Sequence, residues 1–142
     1  MTTSVHSNHY KFQKQLGAIN LATDTLKIIL MNTTFTFDPD AHATLADVTA
    51  DQLATENGYT QNDETLVVDS HTEDDTADKA VIIYDDVIFS ASGGDIGPSG
   101  AAIIYDDTTA DDTVIGCIDY EEDFTVTDGT SFQINAVTLN DA

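Results

Sequence analysis

Adjacent carboxylates are the reactive grouping that recurs most often in this chain, at Asp74-Asp75, Asp85-Asp86, Asp106-Asp107, Asp111-Asp112 and Glu121-Glu122. Oxygen-rich loops of this kind can ligate calcium, but no segment carries the spaced ligands, central glycine and closing glutamate of an EF-hand loop. Two carboxylates can also divide the acid and base roles of a glycosidase. With 26 acidic residues, so many pairs could stand at the required separation that the sequence selects none. His6 and His9, three residues apart, could share a helix face and hold a metal, yet no third ligand is indicated, and His42 and His71 are scattered on polar segments. Cys117 lies between Gly116 and Ile118 in an apolar run, with no neighbouring base or cation to lower its pKa, and reads as a small buried hydrophobe. The glycine-rich stretch from Gly93 to Gly100 lacks the lysine and hydroxyl of a P-loop and does not open a helix, so it reads as a sharp turn of the chain. No serine sits in a nucleophile elbow. Asn32-Thr33-Thr34 matches a glycosylation sequon, but Met1 to Gly17 has no apolar signal region, which makes the match a coincidence. The expectation is a protein that is not an enzyme and has no cofactor and no dedicated metal site.

Charge narrows the partners further. Against the 26 acids stand four lysines, Lys11, Lys14, Lys27 and Lys79, and no arginine, for a formal net charge of −22 over 142 residues. At most four acids can pair with a lysine, so salt bridges cannot hold the fold together, and the rest must be solvated, bound to cations or opposed to a positive partner. Such a charge repels phosphate backbones and anionic headgroups, so neither nucleic acid nor a membrane surface is expected as a partner. The length suits one domain able to bury a core without disulfides, and the single cysteine permits no internal one. No stretch approaches membrane-spanning length.

Short strands are the elements that must carry these groups. Asn8 to Leu16 is expected as a short helix or an arm, with Ser7 as N-cap, Gly17 just past the end, and Phe12 and Leu16 on one face. From Thr25 a strand alternates Leu26, Ile28 and Leu30 against Ile29 and Met31, with Phe35 and Phe37 continuing the second face. Both faces are apolar, which predicts a central strand packed on two sides. Asp38 to Asn62 reads as a long polar connection with one or two helical turns between Ala41 and Leu53. Further strands are expected at Thr65–Asp69, Lys79–Tyr84, Val87–Ser90, Ala101–Tyr105, Val114–Tyr120, Phe124–Thr127 and Thr130–Leu139, with an acidic loop from Glu73 to Asp78. In the last hairpin a bulged turn, Thr127-Asp128-Gly129 with Gly129 left-handed, would pair Val126 with Thr130 and Phe124 with Phe132. Seven or eight such strands predict an all-β, antiparallel β-sandwich or jelly-roll-like single domain, with residues 1–20 as an N-terminal arm or short helix and 21–142 as the sandwich.

One repeat stands out: Ile82-Ile83-Tyr84-Asp85-Asp86 returns as Ile103-Ile104-Tyr105-Asp106-Asp107. Each copy reads as a core strand leaving into water, with Tyr near the rim and both Asp residues solvated.

The order of motifs resembles a group of small tailed-bacteriophage virion proteins. The resemblance runs through His9-Tyr10-Lys11-Phe12, Gly17 to Ile28, Gly58-Tyr59 with Leu66, Asp85 to Ser90, Ala101 to Thr108 and Val114 to Tyr120, and so covers almost the whole chain. This chain departs from the group in its excess of acid and its lack of arginine. The resemblance implies a virion structural role without catalytic residues. Phosphate repulsion argues against lining a DNA-filled shell or tube and for the outer capsid surface. The expectation is therefore a head decoration (cement) protein, a small homo-oligomer whose partners are the major capsid protein and copies of itself, with a tail or fibre component bearing receptor-binding loops as the alternative. Tyr10, Lys11, Phe12, Lys14 and Leu16 are the candidate partner-binding residues, because the N-terminal segment holds two of the four lysines and several apolar side chains.

Overall fold

The fold is described by a computed structural model covering Met1 and residues 5–141. The chain forms an all-β, sandwich-like body with a short N-terminal helix. Its elements are β1 (Val5–His6), α1 (Asn8–Gln15), β2 (Leu26–Met31), α2 (Leu45–Val48), β3 (Val68–Asp74), β4 (Lys79–Tyr84), β5 (Val87–Ser90), β6 (Ile96–Asp106), β7 (Val114–Val126), β8 (Ser131–Ile134) and β9 (Thr138–Asp141). Every strand pairing is antiparallel, in a four-stranded sheet ordered β1-β7-β6-β2, a three-stranded sheet β3-β4-β9 and the pair β5-β8. The pairs β4–β9, β5–β8 and β6–β7 nest inside one another, so the second half of the chain is a long ribbon folded back on itself, the pattern by which jelly rolls wrap.

Both faces of the four-stranded sheet are covered. On one, Leu26, Ile28, Leu30, Ala102, Ile104, Ile115 and Ile118 meet side chains from the two smaller sheets, among them Ile82, Tyr84, Phe89, Ile134 and Leu139. On the other, Ile29, Met31, Ile103, Tyr105 and Val114 meet Val48 of α2 with Phe35, Phe37 and Leu45. The alternation of β2 is therefore as its sequence indicates, with Leu26, Ile28 and Leu30 on one side and Ile29 and Met31 on the other. Its place in the sheet is not central, however: β2 is an edge strand. The long connection covers its free edge. Leu53 N–H donates to Leu30 O at 2.9 Å, Ile28 N–H to Glu64 O at 3.1 Å, Leu66 N–H to Leu26 O at 2.9 Å and Asn32 N–H to Asp51 O at 2.8 Å. Backbone groups that would otherwise template a foreign strand are thus satisfied within the chain. Phe35 and Phe37 lie beyond the strand and fold back over the second face.

Several expected boundaries move. Val114–Tyr120 and Phe124–Thr127 are one strand, β7, bent at Glu121, whose φ of +64° places it in the left-handed region. The glycine-rich stretch is not simply a turn: from Ile96 it belongs to β6, with register shifts on either side of Ser99. A Cβ on Gly97 would come within 2.9 Å of Phe124 O, so only glycine lets β6 and β7 approach there. The acidic loop is shorter than expected, because Glu73 and Asp74 extend β3 and pair with Ala80 and Lys79. The bulged turn does form, with Gly129 at φ +81° and Thr130 N–H donating to Thr127 O at 2.9 Å. Yet β8 pairs with β5 and not with β7. The turn is anchored to the preceding loop, Gly129 N–H to Ala91 O at 3.0 Å and Asp128 N–H to Asp95 Oδ1 at 2.8 Å, which carries the chain across to β5. Phe124 and Phe132 still meet, with ring centroids 4.2 Å apart.

Candidate functional site

The candidate partner-binding residues lie on α1. Ser7 starts the helix: its Oγ accepts from Tyr10 N–H at 2.9 Å and donates to Val114 O, so one hydroxyl caps the helix and ties it to β7. Gly17, at φ +75°, follows the last turn, and Lys14 in that turn suits the negative end of the helix dipole.

The helix separates its residues into two roles. Tyr10 is fully buried, its hydroxyl donating to Asp141 Oδ2 at 2.9 Å on β9. Burial and the adjacent Asp141 carboxylate raise its pKa far above the ordinary tyrosine range. Tyr10 is thus a core residue and cannot meet a partner, contrary to its place among the candidates; the helix must hide one face, and a ring supplies more buried area than the neighbouring lysines. Lys14 is committed in part as well, its Nζ 2.6 Å from Asp141 Oδ2. His6 sits on the same side, its Nδ1 3.7 Å from Asp141 Oδ1, and burial lowers its pKa. His9 turns instead to Asp111, 2.7 Å away, so the two histidines do not converge on one point. Among the described residues, no three His, Cys, Asp or Glu side chains gather as a metal site.

The remaining candidates face outward. Phe12 is 55% exposed and Leu16 64%, one turn apart, with Lys11 also exposed beside them. The chain has no acidic residue before Asp24, so the helix itself carries no carboxylate. The described part of residues 1–20 is not a free arm: β1 pairs with β7, Tyr10 and Ile19 enter the main core, and Asn8 N–H donates to Pro39 O at 3.0 Å. Positions 2–4 and 142 of the two expected stretches lie outside the described residues.

A second group of polar side chains escaped the sequence reading. Asp106, at the end of β6, is fully buried. Its Oδ1 accepts from Thr108 N–H at 2.9 Å, while its buried Oδ2 has no hydrogen-bond partner among the described residues and the Asp24 carboxyl stands nearby. Burial first, then the neighbouring Asp24 carboxyl, push its pKa up to about 7, so the Asp106 carboxyl is held protonated well above the ordinary carboxylate range. The buried Tyr84 hydroxyl lies close enough for Asp106 to raise its pKa further than burial alone does. The only signal for this cluster in the sequence was the excess of acids itself, which does not say which one is buried. Cys117 is buried on β7, and burial pushes its thiol up to about 12, the opposite of activation.

No described helix is long and apolar enough to cross a membrane. Comparisons with protein-family models, curated proteins and solved structures return no match.

Proposed function

We propose that this protein is a structural component of a tailed-phage virion, a capsid decoration protein that sits on the outer surface of the head. Its partners in this reading are the major capsid protein and copies of itself, and its action is to add buried interface across joints between capsid subunits, which stabilises the assembled shell by mass action. The observation that carries the reading is the outward face of α1: Phe12 and Leu16, exposed beside Lys11, in an acid-free stretch on a strongly acidic body. Exposed apolar anchors next to cationic groups are the composition of a docking surface. The acidic body supports the outside of the head, away from packaged DNA, because its charge and the phosphate charge repel. The resemblance to phage virion proteins supports the same assignment and requires no catalytic group.

The test is rebinding to phage heads stripped of their decoration protein. The purified protein should bind such heads and raise their melting temperature. The double variant Phe12→Ser, Leu16→Ser should lose binding by about tenfold or more, while its own stability changes by about 0.5 kcal/mol or less per site. A protein that ignores heads and binds tails or host cells overturns the decoration reading in favour of a tail or fibre component.

A further inference from the structure

A groove of about 390 Å³ opens on the face of the four-stranded sheet opposite the main core, between β6–β7 and the segment that follows β2. Its floor is apolar: the half-buried rings of Phe35 and Phe37 with Ala101 and Cys117. Along one side run four carboxylates, Asp119, Glu121, Glu122 and Asp123, and no lysine lines it among the described residues. The backbone sets this up. Asp119 Oδ1 accepts from Glu121 N–H at 2.8 Å, and the left-handed Glu121 breaks the strand's alternation, so consecutive acids line one side instead of alternating across the sheet. Gly100 keeps the channel open, since a Cβ there would lie 3.2 Å from Asp123 Oδ1 and 3.4 Å from Thr33 Cα.

We propose that this groove binds a cationic, partly apolar peptide segment of a partner protein, with arginine or lysine side chains on the acidic rim and an apolar side chain on the aromatic floor. The two halves of the site call for that combination. A solvated acidic face has no use for phenylalanine rings on its floor, and an apolar patch made to accept another apolar surface has no use for four carboxylates along one side with no lysine in the lining. Arginine satisfies both, pairing with carboxylate and stacking on an aromatic face. Charge complementarity also decides against a second copy of this chain: each copy carries −22, and of its four lysines Lys14 and Lys27 already face Asp141 and Asp107. The proposal stands independently of the virion reading, because it concerns the chemistry of the ligand and not where the partner resides.

The experiment uses the full chain and a short amidated peptide alternating arginine with leucine, titrated at about 0.15 M salt, where long-range charge effects are screened. Neutralising the rim with Asp119→Asn, Glu121→Gln, Glu122→Gln and Asp123→Asn should weaken binding by about tenfold or more. Neutralising the same number of acids on the β3–β4 hairpin, with Glu73→Gln, Asp74→Asn, Asp75→Asn and Asp78→Asn, should change it by about twofold or less. Replacing the leucines of the peptide by serine should also weaken binding, and the NMR signals of Phe35 and Phe37 should move on titration with the parent peptide. Equal losses from the two sets of substitutions would reduce the effect to the general field of the protein and overturn the proposal. So would indifference to the serine exchange, or concentration-dependent broadening of Phe35 and Phe37 without peptide, which would assign the groove to a second copy.

Discussion

The two copies of Ile-Ile-Tyr-Asp-Asp have the same five residues and opposite orientations. In the first, on β4, Ile82 and Tyr84 point into the main core and the strand ends at Tyr84, leaving Asp85 and Asp86 exposed in the connection to β5. In the second, on β6, Ile104 faces the main core, while Ile103 and Tyr105 face the cluster on the other side of the sheet. The alternation is shifted by one residue, and because side chains in a strand alternate, that shift exchanges every side chain between faces. The strand also runs one residue further, with Asp106 paired to Leu26 on β2. Its carboxyl therefore follows Ile104 toward the main core, near Tyr84 of the first copy and the Asp24 carboxyl, and burial there favours its protonated form. Local sequence specifies that these segments are strands; it does not specify which side of them is wet.

The largest effect expected from this comparison is at the tyrosines. Tyr84→Ala and Tyr105→Ala should each cost about 3–5 kcal/mol in a denaturant titration, since both rings are buried, though in different clusters. A near-neutral Tyr105→Ala would show that the second cluster contributes little and that only one face of the sheet is a core.

The fourth position should separate the copies most clearly. Because the pKa of Asp106 in the folded protein is raised to about 7 from the ordinary 3.8, its contribution is fully present in acid and lost as pH climbs between those values. Stability should fall over that window by an amount on the order of a few kcal/mol. Asp106→Asn should flatten the dependence, and Asp85→Asn, at the matching exposed position, should follow the unsubstituted protein. Identical pH profiles for both variants would mean that the Asp106 carboxyl is not held protonated by its burial.

At the fifth position the predicted difference is smaller. Asp86 accepts from Gln133 Nε2 and from Ala136 N–H, both at 2.8 Å, and so organises the turn between β8 and β9. Asp107 makes an exposed pair with Lys27 at 3.3 Å. Asp86→Ala should cost about 1 kcal/mol and Asp107→Ala about 0.5 kcal/mol or less, measured by thermal unfolding at one salt concentration. The smallest effect should come from salt alone: moderate ionic strength screens repulsion among the carboxylates and should raise the melting temperature by a few degrees at most. A melting temperature that falls as salt is added would show that attractive pairs outweigh repulsion.

Much of this organisation was legible in the residues. Ser7 and Gly17 bracket α1 as expected because capping is a local interaction, decided by side chains within one turn. The strand at Val87–Ser90 coincides with its expected limits, and the alternation of Leu26 to Met31 correctly separates two cores. Other features were hidden because they depend on distant partners. The pairing of β8 with β5 rests on hydrogen bonds from the Asp128-Gly129 turn to the loop at Ala91–Asp95. The edge position of β2 depends on a connection that wraps its open side, and a covered edge and a central strand have the same apolar pattern. Tyr10 carried no sign that it, and not Phe12, would turn inward; Asp141, far along the chain, accepts from its hydroxyl.

By itself, the sequence determined the class of the fold, the position of its helix, the overwhelming acidity of its surface and the absence of acid from its first 23 residues, because composition, capping and strand periodicity are local. Tertiary structure alone decided which of two identical pentapeptides buries an aspartate, which acids crowd one side of an aromatic groove, and which residues of α1 remain exposed. Those outcomes follow from strand register and bulges, where one added residue reverses the facing of all that follow, and register is settled between segments far apart in the chain.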